Sequence, residues 1–340
     1  MEQNHTSRLV VLIPVFNDWS AVALLLPALD HVLKECPPDK ITTVEILLVN
    51  DGSTDAPEAL AAQRFEHLHS VEILHLRRNL GHQRAIAVGL VHVHKHLPCA
   101  AVVVMDGDGE DRPRDVLRLI DEFSRDGQTV VFAERAKRME KAAFQLCYRL
   151  YCAVHWLLTG VRVRVGNFSI VPWQALERLV VVSELWNHYA AAVFRARLPY
   201  RTVPMDRGRR MSGESKMNFV ALLVHGLSAI SVFSDIVSAR LLIMASAFVA
   251  LLGGSAVTAA AMRWTGHLAI PGWAGYTAAI LFVLLAQTLL GAFLLVFIII
   301  SARANMSFIP LRDAPNFVDR QERVFPRDNL SIRRLRAGNL

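Results

Sequence analysis

The stretch Ala100–Asp115, AAVVVMDGDGEDRPRD, runs apolar residues straight into a crowd of acids: Asp106, Asp108, Glu110, Asp111 and Asp115 fall within ten positions. A short apolar run that stops at polar residues reads as a strand buried on both faces. Carboxylates this close repel one another, so something cationic must face them. Gly107 and Gly109, set between the acids, allow a tight turn and the close approach of a ligand. Asp106 and Asp108 therefore read as paired hard-oxygen ligands for Mg2+ or Mn2+, ions that keep water and take phosphate oxygens as further ligands.

The same pattern repeats along the first part of the chain. RLVVLIPVF, VEILLVND, VEILHL and TVVFAE read as further strands, with helices predicted over Asp18–Leu33, APEALAAQRF, GHQRAIAVGLVHVHKHL and Arg114–Phe123. Apolar strands alternating with helices imply an α/β domain with a Rossmann-like, mostly parallel sheet covered on both faces. Ligands of such sheets bind at the carboxyl ends of strands. FND, NDGSTD, RRNLGH and DGDGED each follow a strand at once, which points to one composite site. Residues 140–200 read as helix-rich, and 201–216, RTVPMDRGRRMSGESK, as a basic loop.

The chain has 340 residues, of which 53% are hydrophobic. Leu241–Met262 carries no charge over 22 residues, and Leu268–Ala302 none over 35. Each exceeds the ~20 residues that cross a hydrocarbon core, so two transmembrane helices are expected near 240–262 and 276–301. The N-terminus lacks the pattern of a signal peptide, which predicts a cytosolic domain and a hairpin that returns the C-terminus to the same side. Arg240 and Arg303 flank the hairpin, and the tail is rich in arginine, as cytosolic segments are. The net charge of +7 then suits anionic headgroups better than nucleic acid, for which no basic-aromatic module is present. Cys36, Cys99, Cys147 and Cys152 have neither metal nor disulfide spacing. The expected organisation is a catalytic domain over 1–216, an interfacial helix over 217–238, a membrane hairpin over 239–303 and a basic tail over 304–340.

IPVFND, LLVNDGSTD, RRNLGHQRAIAVGL and VVVMDGDGEDRPRD, in that order, resemble the successive motifs of family-two glycosyltransferases with the GT-A fold. Within these the chain resembles the polyprenyl-phosphate sugar transferases of the dolichyl-phosphate mannose synthase kind, over residues 8–217, and its hairpin resembles the bacterial members. The resemblance implies that Pro14, Asn17 and Asp18 contact the nucleotide, with Asp18 where Glu is commoner, and that Asp51 contacts the base. It implies a metal on Asp106 and Asp108, joined by Glu110 where Gln is usual. RGRRMSGESK resembles the family's Arg-x-x-Arg-x-x-Gly-x-Ser-Lys, met by Arg207, Arg210, Gly213, Ser215 and Lys216. Two arginines, a hydroxyl and a lysine also read on their own as a phosphate clamp, against the plainer reading of a solvated basic loop.

Asn167 stands where related transferases carry an acid before Phe; an amide cannot take a proton, so its expected role is to position the sugar. Arg135, at the end of a strand, reads equally as a phosphate contact or a surface residue. His82 reads as a capping or packing residue, and His92, His94 and His96 do not share a helix face at i, i+2. The implied activity is metal-dependent, inverting transfer of a sugar from a UDP- or GDP-sugar to undecaprenyl or dolichyl phosphate, at the cytosolic face of the cytoplasmic membrane. Partners are then the nucleotide-sugar donor, the polyprenyl-phosphate acceptor and membrane lipids; self-association stays open. The rival readings are transfer to a lipid or glycan hydroxyl, and a nucleotide-sugar-binding scaffold.

Overall fold

In the computed structural model of the chain, residues 7–60, 62–135, 152–161, 165–213, 226–265, 273–304, 308–326 and 332–334 are described. The apolar runs form β1 (Arg8–Val15), β2 (Thr43–Asn50), β3 (Leu68–Leu76), β4 (Ala101–Val104) and β5 (Val130–Arg135). β1 pairs in parallel with β2 and β4, and β2 with β3. Period-two alternation sends Val10 and Leu12 of β1 to one face and Leu9, Val11 and Ile13 to the other, all fully buried. The first face is covered by α2 (His82–His96) and the second by α1 (Trp19–Leu33) and α3 (Pro113–Phe123). Both faces being covered explains why these strands read as continuous apolar runs.

Three readings within residues 1–216 need correction. The helix expected over APEALAAQRF is a single 3-10 turn, Glu58–Leu60, which buries only Leu60. VGNFSIV is not helical: β6 (Val165–Pro172) runs antiparallel between β4 and β5. Residues 201–205, read as loop, belong to β7 (Tyr200–Met205), parallel to β5. Its half-exposed alternation is weaker than the apolar runs of the central strands, as suits the edge of the sheet.

The segment read as a basic tail contributes β8 (Val318–Phe325), which pairs antiparallel with β3. Glu72, buried in β3, accepts from Arg323 at 2.9 Å and also meets Gln321, while His75 lies 3.2 Å from Glu322. β9 (Ile332–Arg334) extends the order to β7-β5-β6-β4-β1-β2-β3-β8-β9. Short helices α4 (Trp173–Leu179) and α5 (Tyr189–Arg195) follow β6.

A second compact unit takes in Arg149–Arg162 and Phe233–Ser307. Its long helices are α6 (Ser234–Trp264) and α7 (Trp273–Ala304). Ser234–Met262 and Gly275–Ile298 are candidate membrane spans, with mean hydropathy 2.1 and 2.6 and almost none of either buried in the protein. The hydroxyls of Ser246, Ser255, Thr258 and Thr288 donate to carbonyls four residues back, so each polar side chain is satisfied within its own helix. Residues 226–231 of the expected interfacial helix are helical; 217–225 lie outside the described residues.

Candidate active site

The loops that follow β1, β2 and β4 meet at one end of the sheet. After β1, Asn17 adopts φ 52°, a left-handed conformation that Asn tolerates better than most residues. Its N–H donates to Ser53 Oγ at 3.0 Å, and its Oδ1 accepts from the Thr54 N–H at 2.7 Å, so the first two loops are laced together. Pro14 is buried in β1, beyond the last β1–β4 pair, Leu12 with Val104. Asp51, 2% exposed, accepts from the backbone N–H groups of Leu80 at 2.7 Å and Gly81 at 2.9 Å. Burial pushes its carboxyl above the usual range, against the pull of those two donors. Asp51 thus fixes the loop before α2, and a carboxylate with two such bonds keeps acceptor capacity for a ligand donor.

The acidic turn is held from within. The Asp106 N–H donates to Asp111 Oδ2 at 2.9 Å, and the Glu110 N–H to Asp108 Oδ1 at 2.9 Å. Burial, then the charge of Asp106, raises the Asp108 pKa, opposed by Arg210 and Arg207. Those arginines are what the crowded acids face. Arg210 Nη2 lies 2.6 Å from Asp18 Oδ2, and its Nη1 3.2 Å from Asp108 Oδ2. Arg207 pairs with Glu110, the residue expected beside Asp106 and Asp108 as a metal ligand. The main chain follows: Gly208 N–H donates to Glu110 O at 2.7 Å and Met211 N–H to Asp108 O at 2.9 Å. Two glycines permit this approach. A Cβ on Gly109, at φ 82°, would lie 2.4 Å from Met211 Cγ, and one on Gly208 3.0 Å from Gly109 O.

Asp18 closes the arrangement. As the N-cap of α1 its carbonyl accepts from Ala21 and Val22, while its carboxylate makes no capping bond and goes to Arg210.

His82, read from sequence as a cap or packing residue, has Nε2 3.1 Å from Asp106 Oδ1 and 3.0 Å from Asn167 Nδ2. Burial pulls its pKa down, but Asp106, Asp51 and Asp108 outweigh that and raise it. Protonated, Nε2 donates to Asp106; unprotonated, it accepts from Asn167. Asn167 Oδ1 accepts from Gln83 Nε2 at 3.1 Å, and Gln83 Oε1 accepts from the Tyr189 N–H at 2.7 Å. The signal for His82 and Gln83 was their place just after a strand-end loop. Arg135 closes β5, paired with Met205. Ser215 and Lys216 lie outside the described residues.

Residues 10–150 match the model of glycosyl transferase family 2. That stretch is similar to the domain of this family. An uncharacterized glycosyltransferase of Bacillus subtilis (strain 168), YkcC, is 26% identical over 229 residues, covering 66% of this chain and 68% of the relative. The undecaprenyl-phosphate 4-deoxy-4-formamido-L-arabinose transferase of Photorhabdus laumondii is 26% identical over 230 residues, covering 66% and 67%. Among solved structures, glucosyl-3-phosphoglycerate synthase from Mycobacterium tuberculosis, in complex with Mn2+, UDP and phosphoglyceric acid, aligns with TM-score 0.47 at 13% identity, covering 68% of this chain and 78% of that one. The strand order and the α-helices on both faces are those of a GT-A-like α/β domain.

Among the described residues no three His, Cys, Asp or Glu side chains form a ready-made metal cage. Asp106 and Asp108, two hard-oxygen donors at a strand end, fit an ion such as Mg2+ that takes one or two carboxylates and completes its shell with water and phosphate.

Proposed function

We propose that the protein is a membrane-bound, metal-dependent inverting glycosyltransferase that moves a sugar from a UDP- or GDP-sugar to a polyprenyl phosphate. The observation that carries this reading is the seating of Arg207 and Arg210 on the acidic turn. Donor-side carboxylates and phosphate-binding guanidiniums share one edge of the sheet, as transfer between a nucleotide diphosphate and a phosphate requires.

The nucleophile is a phosphate oxygen of the acceptor, already an anion at neutral pH, so a strong base beside the sugar is not needed. That accords with Asn167, an amide that cannot take a proton. The oxygen attacks the anomeric carbon as the bond from that carbon to the diphosphate oxygen breaks, inverting the centre and releasing the nucleoside diphosphate. A divalent cation on Asp106 and Asp108 would stabilise the charge that gathers on the leaving diphosphate. Arg207 and Arg210 bind and orient the acceptor phosphate, offsetting repulsion from the carboxylates. Asn17, Asp18 and Asp51 form the nucleotide edge, with Asp51 holding the loop from Arg78 to Gly81 in place. Asn167, held by Gln83, orients the sugar. Arg135, Ser215 and Lys216 complete the phosphate contacts in this reading.

Membrane attachment is supported by the two candidate spans and by connectivity. The chain leaves the sheet-bearing unit before α6 and rejoins it at β8, so both ends of the hairpin belong on one side of the bilayer, here taken as the cytosolic side. The undecaprenyl-phosphate relative favours a lipid phosphate over a hydroxyl acceptor. The test is incubation of membranes carrying the protein with a panel of radiolabelled UDP- and GDP-sugars, followed by solvent extraction. Label should enter a lipid that mild acid releases as free sugar, and Asp108→Asn should lower this by about a hundredfold or more. Full turnover in chelator would sink the metal role, and label only in acid-stable glycan would sink the lipid-phosphate acceptor.

A further inference from the structure

The guanidinium of Arg210 lies on the oxygen that a cation on Asp108 would take. Asp108 Oδ1 is taken by the Glu110 N–H, and Oδ2 by Arg210 Nη1 at 3.2 Å. The same guanidinium reaches Asp18 Oδ2 at 2.6 Å and, through Nε, the Ser212 carbonyl at 3.0 Å. All three guanidinium nitrogens are thereby used, and the side chain is only 16% exposed. Two of its five N–H donors are left, so the fork is engaged by carboxylates rather than open to a phosphate while it bridges Asp18 and Asp108. Arg207 is likewise committed to Glu110.

We infer that Arg210 is an internal stand-in for the divalent cation: it holds Asp108 until a cation takes that carboxylate, and only then turns its fork to the acceptor phosphate. This rests on the function proposed above and adds an order to it, with cation and nucleotide sugar binding before the acceptor. The arrangement has a physical use. Without that counter-charge Asp108, largely buried beside Asp106, would lose the cation nearest its Oδ2. Arg210 offsets the charge of Asp108 and Asp18, and a clamp engaged in this way does not capture free lipid phosphate before the donor binds.

The experiment uses the full chain in detergent micelles and reads Mn2+ binding from the loss of the free-ion paramagnetic resonance signal, with and without UDP. Arg210→Gln removes the competitor, and Mn2+ should bind on the order of three- to tenfold more tightly than in the wild type. Arg210→Lys separates competition from bulk charge: it keeps the charge but cannot fork across Asp18 and Asp108. Tightening in Arg210→Lys as well supports the bridge; tightening in Arg210→Gln alone would assign the effect to net charge and overturn the inference. A second readout is phenylglyoxal labelling mapped by mass spectrometry, with the exposed Arg209 as internal control. Arg210 in the wild type should be protected without metal and become reactive when Mn2+ and UDP are added. Mn2+ binding with Arg210 equally protected in both states would also overturn it. If neither wild type nor variants bind Mn2+, the metal-dependent reading itself fails and the inference falls with it.

Discussion

The central strands and the long helices of the second unit are built from the same residue types, and they do opposite things with them. In β1, Leu9 through Ile13 are completely buried, whereas in α7 Phe282, Phe293 and Phe297 are each well over half exposed. What differs is where the charge lies. Each strand is a short apolar run that ends in polar residues, and those residues become the site. α6 and α7 instead carry long charge-free runs whose helical backbone satisfies itself, leaving apolar surface unburied in the protein, as a candidate membrane span does. Hydrophobicity alone thus does not separate core from span; run length and the placement of the flanking charges do.

Truncating one leucine in each region should separate the two most clearly. Leu12→Ala should cost about 2–5 kcal/mol, since it opens a cavity between the sheet and α2. Leu290→Ala, at a position 60% exposed in α7, should leave the unfolding midpoint of the detergent-solubilised protein nearly unchanged. Equal losses at both positions would mean that α7 is packed like a core helix. The converse change is Leu290→Arg, which should cost roughly 3 kcal/mol of membrane insertion if α7 spans the bilayer. An insertion assay that tolerates the arginine would place this helix outside the hydrocarbon region.

A smaller effect tests burial through pH. His92, 4% exposed in α2, has its pKa lowered by burial, and next by His96, from 6.5 to about 3. A depressed histidine is neutral in the fold, so below pH 6.5 the unfolded chain gains a proton that the native state refuses. Stability is therefore full above that value and lost as pH falls toward 3, by about 2 kcal/mol at pH 5. His92→Leu should flatten this limb between pH 7 and 5 in a thermal-unfolding series, and an unchanged limb would assign the acid sensitivity elsewhere.

The central sheet was legible because strands buried on both faces leave continuous apolar runs, and α2 because its pattern is long. β6, β7 and β8 were not. β6 begins among half-buried residues, β7 is an edge strand of alternating exposure, and β8, VDRQERVF, is largely polar. β8 is held in part by Glu72 with Arg323 and Gln321, partners about 250 positions apart, a pairing that local periodicity does not record. The site divides in the same way. Asp106, Asp108 and Asp51 were readable from strand ends, and Arg207 and Arg210 from their basic loop. That these two groups sit on one another was not readable, because the contact depends on Gly109 and Gly208 letting two distant loops touch. His82 was passed over for a related reason: its partners, Asp106 and Asn167, come from two other loops.

In the proposed reaction the arginine loop serves the acceptor phosphate while the strand-end carboxylates serve the donor. This division is tested most directly by measuring, for Arg207→Ala, the dependence of turnover on polyprenyl phosphate and the affinity for UDP in separate experiments. A charge-assisted contact to phosphate contributes on the order of 1.5–3 kcal/mol, so the account predicts acceptor use weakened by about tenfold to a hundredfold, with UDP affinity nearly unchanged. Lost UDP affinity with an unchanged acceptor dependence would contradict it and move Arg207 to the donor side.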